Sequence, residues 1–173
     1  MFYIDLRYFI GVFLILFFFI GCGQKYKSIQ PTKNNYESLI IDAESKAQPS
    51  AKKVLQKAKE MTLIKREIIR GSCWDYIDTV YTRVGFLKNR RKIIYKSRKK
   101  GPFADLNMIQ AGDWIYHINY SYHKVGHSGI FIGWVDRQKK LALILSYAGE
   151  RRKTPARYKV YDLSSVYHIT RAD

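Results

Sequence analysis

Cys73 and His127 are the two side chains of this chain whose types suit nucleophilic catalysis. Cys73 lies in Gly71-Ser72-Cys73-Trp74-Asp75-Tyr76, and His127 in Gly126-His127-Ser128-Gly129-Ile130-Phe131-Ile132-Gly133, where small neighbours leave the ring accessible. A thiol attacks a carbonyl as its thiolate, and an imidazole within reach can take the thiol proton and later return it to a leaving amine. The chain has 2 cysteines. The other, Cys22, ends an apolar N-terminal run, so Cys73 is left without a partner for a structural disulfide. A zinc site from Cys73, His117, His123 and His127 is an alternative use of the same groups. Their spacings match no standard ligand motif, so neither a metal nor a cofactor is expected.

Two kinds of element must position this pair. Gly71 breaks the preceding pattern and Ser72 suits a helix N-cap. From Cys73, the apolar residues Trp74, Ile77, Val80, Tyr81 and Val84 recur at helical spacing until Gly85, which suits a left-handed helix end. Cys73 therefore sits in the first turn, where free backbone NH groups and the positive end of the helix dipole favour a thiolate. His127 heads the second of several predicted strands: Trp114 to Tyr120, Ser128 to Val135, Leu141 to Tyr147, Tyr158 to Tyr161 and Val166 to Ile169. A helix-rich half followed by an antiparallel meander is an α+β pattern. Upstream, Ala51 to Arg70 reads as one amphipathic basic helix, with Val54, Leu55, Ala58, Met61, Leu63, Ile64, Ile68 and Ile69 on its apolar side. The cationic stretch from Leu87 to Lys100 reads as an exposed connection. His168, late and isolated, reads as a surface residue.

The N-terminus and the charge bound where the protein works. Tyr8 to Ile20 is almost wholly apolar but short of the ~20 residues that a spanning helix needs. It fits the core of an export signal. Phe19-Ile20-Gly21-Cys22 resembles a bacterial lipobox, which implies cleavage after residue 21 and lipidation of Cys22. Residues 22–50 are mostly polar and read as a flexible, lipid-anchored tether, with the catalytic domain at residues 51–173. The protein would then be a membrane-anchored lipoprotein of the cell envelope, facing the periplasm or exterior. With 31 Lys and Arg against 14 Asp and Glu, the net charge is +17. Such a surface suits an anionic partner, either wall polymer or phospholipid headgroups. Export leaves nucleic acid the least fitting partner, and none is expected.

The segments CWDYIDTVYTRVGF, QAGDWIYH and GHSGIFIGW, in this order between Gly71 and Gly149, resemble the NlpC-type cysteine peptidases of bacterial cell walls and their CHAP-domain relatives. Those families place the nucleophile at a helix start, then a Gly-Asp turn into a strand, then a strand carrying the histidine. The chain departs from the NlpC pattern in having Ser72 before the cysteine and Trp74-Asp75 after it, which is closer to the CHAP form. The resemblance implies a papain-like core, with N-terminal helices packed on an antiparallel sheet. It also implies cleavage of a peptidoglycan amide bond, with Cys73 as nucleophile and His127 as base and then acid. The family's third polar residue, which orients the imidazole, falls on the strand after the histidine strand. Ser146 is the first candidate there and Tyr147 the second. Trp74, Tyr116, His117 and Tyr122 are the expected substrate contacts. The competing expectation is a lipoprotein with a degenerate site that binds wall or anionic membrane through its basic surface.

Overall fold

The computed structural model describes residues 33–173. The expected signal at residues 1–21, the lipidation candidate Cys22 and the first part of the tether lie outside the described residues. The rest of the expected tether is structured. Helix α1 (Lys33–Lys46) and the start of α2 (Pro49–Lys59) occupy it. Ile40 and Ala43 of α1 are buried in the main core, with Tyr36, Leu39 and Ala47 packed against it. These positions recur at helical spacing, and burying them offsets the entropy that a polar stretch could not recover alone.

The expected single helix over residues 51–70 is also corrected. α2 buries Val54, Leu55 and Ala58 and then widens into a π-helical turn at Glu60–Ile64. Lys65 N bonds Glu60 O at 2.9 Å and Glu67 N bonds Met61 O at 2.8 Å. Glu60 holds both Lys57 and Lys65, which anchors the turn from its outer side. The wider turn keeps Met61 in the core but leaves Leu63, Ile64 and Ile68 exposed. The chain then runs without helix to α3 (Cys73–Arg83), whose start matches the expectation. At its end Phe86 N bonds Tyr81 O at 3.0 Å and Gly85 N bonds Thr82 O at 3.0 Å. Gly85 itself takes φ +86°, as a left-handed cap requires.

Six strands form one antiparallel sheet in the order β1-β6-β2-β3-β4-β5. They are β1 (Arg91–Lys96), β2 (Trp114–Asn119), β3 (Val125–Asp136), β4 (Leu141–Ser146), β5 (Arg157–Asp162) and β6 (Val166–Ala172). The α+β class is thus observed. β1 replaces part of the expected basic loop: it pairs with β6, and its lysines fit a sheet edge because one side of the strand faces water. Alternation along the strands sends residues to two cores. Ile130, Ile132, Leu143 and Leu145 join the helices on one side, while Phe131, Ala142, Ile144 and Tyr161 join Ile115, Leu163, Val166 and Ile169 on the other. Among the described residues no helix is long and apolar enough to cross a membrane.

The turn Ala111-Gly112-Asp113 locks helices to sheet. Asp113 is almost wholly buried and receives two hydrogen bonds from Arg171 of β6, at 2.7 and 2.8 Å, plus one from Gln110 N at 2.8 Å. Tyr81 of α3 donates to Gly112 O at 2.7 Å. Gly112 has φ +90°, and a Cβ there would lie 2.8 Å from Ala51 Cβ and 3.1 Å from its Cα. Burial pushes the Asp113 carboxyl up despite Arg171, so the pair is costly to split. Arg171→Gln is expected to destabilise the fold by about 3 kcal/mol, read as a lower urea midpoint with an unchanged denaturant slope.

Candidate active site

The start of α3 is built by four residues around Cys73. Ser72 Oγ accepts from Trp74 N at 3.2 Å, while Asp75 Oδ2 accepts from Ser72 N at 2.6 Å and from Ser72 Oγ at 2.7 Å. This capping box holds the Asp75 carboxyl below its usual range, chiefly through the Ser72 NH. Gly71 takes φ +108°, and a Cβ there would fall 2.4 Å from Asp75 Oδ2. The glycine is therefore required by the cap. Gly71 O in turn accepts from Glu150 N at 2.9 Å. Cys73 is a free, half-buried cysteine at this N-terminus.

The β3-β4-β5 register assembles the other half. Ser146 pairs with Gly129 of β3 and with Arg157 of β5, so His127 is its diagonal neighbour on the same face. His127 Nε2 lies 3.2 Å from Ser146 Oγ, and Ser146 Oγ lies 2.7 Å from the Tyr161 hydroxyl. With the ring proton on Nε2 and donated to the serine, Nδ1 carries the lone pair of a base. Tyr147 does not share this task. Its hydroxyl donates to Ile69 O at 2.7 Å and its ring stacks on Tyr76 at 4.7 Å.

Both halves open on one cavity of about 840 Å³ whose lining includes Cys73, His127, Ser146 and Tyr161. Among the described residues no hydrogen bond joins the thiol to the imidazole, although both residues line the same cavity. Burial first, then the charges of Lys159 and Arg157, lower the His127 pKa to about 4. The ring is therefore neutral at pH 7, with its protonated form disfavoured.

The expected substrate contacts divide. Tyr122 lines the cavity and its hydroxyl accepts from Arg152 at 3.2 Å. His117 does not line it: it is 0% exposed, opposite His127 in the β2-β3 register, with its ring edge-on to His127 and Tyr161. Burial brings its pKa down to about 3, so it packs against His127 as a neutral ring. Trp74 and Tyr116 also lie outside the lining and flank Trp114, at 5.6 and 5.5 Å between ring centres. Their rings cover that buried indole. His168, expected at the surface, is half-buried, packs at a tilt against the Tyr116 ring with 4.8 Å between centres, and bonds Thr170 Oγ1 at 2.9 Å. Among the described residues no group of three or more His, Cys, Asp or Glu is placed to hold a metal.

Sequence reading missed Tyr161, Arg157 and Lys159. The available signal was a period of two that links Lys159 and Tyr161 on the predicted strand Tyr158 to Tyr161 and extends to Arg157 just before it; the β4-β5 register puts all three on the Ser146 side. A scan of known protein families finds no match to this sequence, and a comparison with curated proteins finds none.

The relay can be tested on a chain lacking residues 1–22, in which Cys73 is the remaining thiol. Alkylation of Cys73 by iodoacetamide at pH 7 is expected to slow ~10-fold in His127→Ala and several-fold, about 3 to 5, in Ser146→Ala and Tyr161→Phe. Tyr147→Phe is expected to leave the rate unchanged and lower only the melting temperature.

Proposed function

We propose that the protein is a thiol hydrolase of the NlpC and CHAP kind, built on a papain-like core, that cleaves an amide bond of peptidoglycan. The observation that carries this reading is the shared cavity, onto which a thiol at a capped helix start and an imidazole held through Nε2 both open. Cys73 Sγ attacks the scissile carbonyl carbon while His127 Nδ1 takes the thiol proton. The backbone NH of Cys73, in the first turn of α3, is a donor for the resulting oxyanion. Collapse of that intermediate breaks the C–N bond, and His127 protonates the leaving amine. Water, activated by the same ring, then hydrolyses the thioester and restores the thiol. On this reading the N-terminal sequence anchors the chain at the cell envelope through acylated Cys22, within reach of the wall.

The choice of peptidoglycan rests on the ordered motif resemblance together with the basic charge. A second reading, a degenerate lipoprotein that binds wall or anionic membrane, is favoured by one observation: the imidazole is oriented by hydroxyls, which stabilise an imidazolium less than a carboxylate does.

Incubation of purified peptidoglycan with the protein, followed by mass identification of released fragments, separates the two. The hydrolase reading expects turnover that falls by about 10²–10⁴ in Cys73→Ala and His127→Ala. Undiminished turnover in Cys73→Ala sinks it. Salt-sensitive wall binding without any released fragment supports the second reading. The pH profile is a further check. Because the His127 pKa is lowered to about 4, its neutral form persists well below the usual histidine range. The acid limb of kcat/KM is expected near pH 4, and a limb at ~6.5, the value of an unperturbed histidine, contradicts the neutral buried base.

A further inference from the structure

The cavity that holds Cys73 and His127 is lined by four cationic side chains. Arg151 and Arg152 follow the exit of β4, and Arg157 and Lys159 lie on β5. Among the described residues none of the four is ion-paired with a carboxylate; the pairs of this protein lie elsewhere, on Asp42, Glu44, Glu60, Glu67, Asp78, Asp113 and Asp136. Two acids share the lining and offset part of this charge: Asp75, bound into the Ser72 cap, and Glu150, exposed in the short turn Glu150–Arg152. Four cations against two carboxylates leave the lining positive.

The β5 register gives this charge a direction. Arg157 stands opposite Ser146 and Lys159 opposite Ile144, and with Tyr161 they occupy alternate positions on one side of the strand. Tyr161 is bonded to Ser146, so the two cations flank the relay that orients the base. Three of the four groups are guanidinium ions, whose planar fork matches a carboxylate through two parallel hydrogen bonds. A concavity of about 840 Å³ lies in the range that encloses a short ligand, whereas lipid headgroups present a broad surface.

Resting on the hydrolase reading, we infer that this cavity takes a peptide bearing a free carboxylate beside the scissile amide, bound by Arg157 and Lys159 and flanked by Arg151 and Arg152. The site thereby selects stem peptides that keep their side or terminal carboxylates over those that are amidated. The bound carboxylate has a second effect. Lys159 and Arg157 are the charges that disfavour protonation of His127, and a counter-ion on them relieves part of that field, strengthening the base once substrate is in place.

Calorimetric titration of the Cys73→Ala protein measures binding without turnover. The ligands are a synthetic peptidoglycan stem peptide and its analogue with every carboxylate converted to carboxamide. The free-acid peptide is expected to bind at least ~10-fold more tightly, a difference of about 1.4 kcal/mol. Arg157→Gln and Lys159→Gln are each expected to remove most of that preference, weakening the free-acid peptide more than the carboxamide. Equal affinity for the two peptides overturns the inference. So does binding of phosphatidylglycerol vesicles that is lost in the two variants while neither peptide binds. Native protein given both peptides keeps the two claims apart: selective binding without cleavage upholds the anion site and removes the hydrolase, whereas cleavage of both at equal kcat/KM does the reverse.

Discussion

The hydrogen bond from Glu150 N to Gly71 O, at 2.9 Å, joins the two halves of the candidate site. On one side of it is the capped turn that carries Cys73. On the other is the segment leaving β4, directly after Ser146 and Tyr147. Tyr147 reinforces the same junction through its bond to Ile69 O and its stacking on Tyr76 of α3. Gly149 contributes its lack of a side chain, since a Cβ there would come 3.3 Å from Gly71 O. A helix start and a strand end 75 residues or so apart in sequence are thus held in one frame by backbone contact. The position of the thiol relative to the base follows from that frame.

Within it, the imidazole is oriented by neutral groups. Ser146 and Tyr161 present hydroxyls, and the charges felt by His127 are the cations Lys159 and Arg157. A carboxylate in their place would stabilise an imidazolium and with it a preformed ion pair with the thiolate. This arrangement instead keeps the ring uncharged at neutral pH. His117 and Tyr161 pack edge-on around it, so the ring is steadied by contact as well as by one hydrogen bond.

Sequence patterns disclosed much of this and hid the rest for identifiable reasons. The start of α3 was legible because Gly71, Ser72, Cys73 and Gly85 each have a local role that survives into the fold. Ser146 was legible as a position on the strand after His127. Its rank ahead of Tyr147 rested on position alone, because which side of β4 faces His127 depends on the register with β3. Helix α1 was obscured by its polar composition, though Tyr36, Ile40, Ala43 and Ala47 hold a helical period. The lysines and arginines around Ile93 and Ile94 masked β1, an edge strand that needs only partial burial. The π-helical turn at Glu60–Ile64 rearranged an apolar stripe that was continuous in sequence. Tyr161 required a cross-strand contact that no local pattern encodes.

His117 and His127 carry a consequence for the molecule as a whole. Both rings are held proton-free by burial, one with its pKa near 3 and the other near 4, whereas an exposed histidine takes up its proton at about 6.5. Unfolding therefore draws protons from solution between those limits, and the folded state loses stability as the pH falls through 6.5 toward 4. Above that window the two rings impose no such cost. The burial that holds these two rings neutral thus makes the integrity of the whole domain a function of acidity.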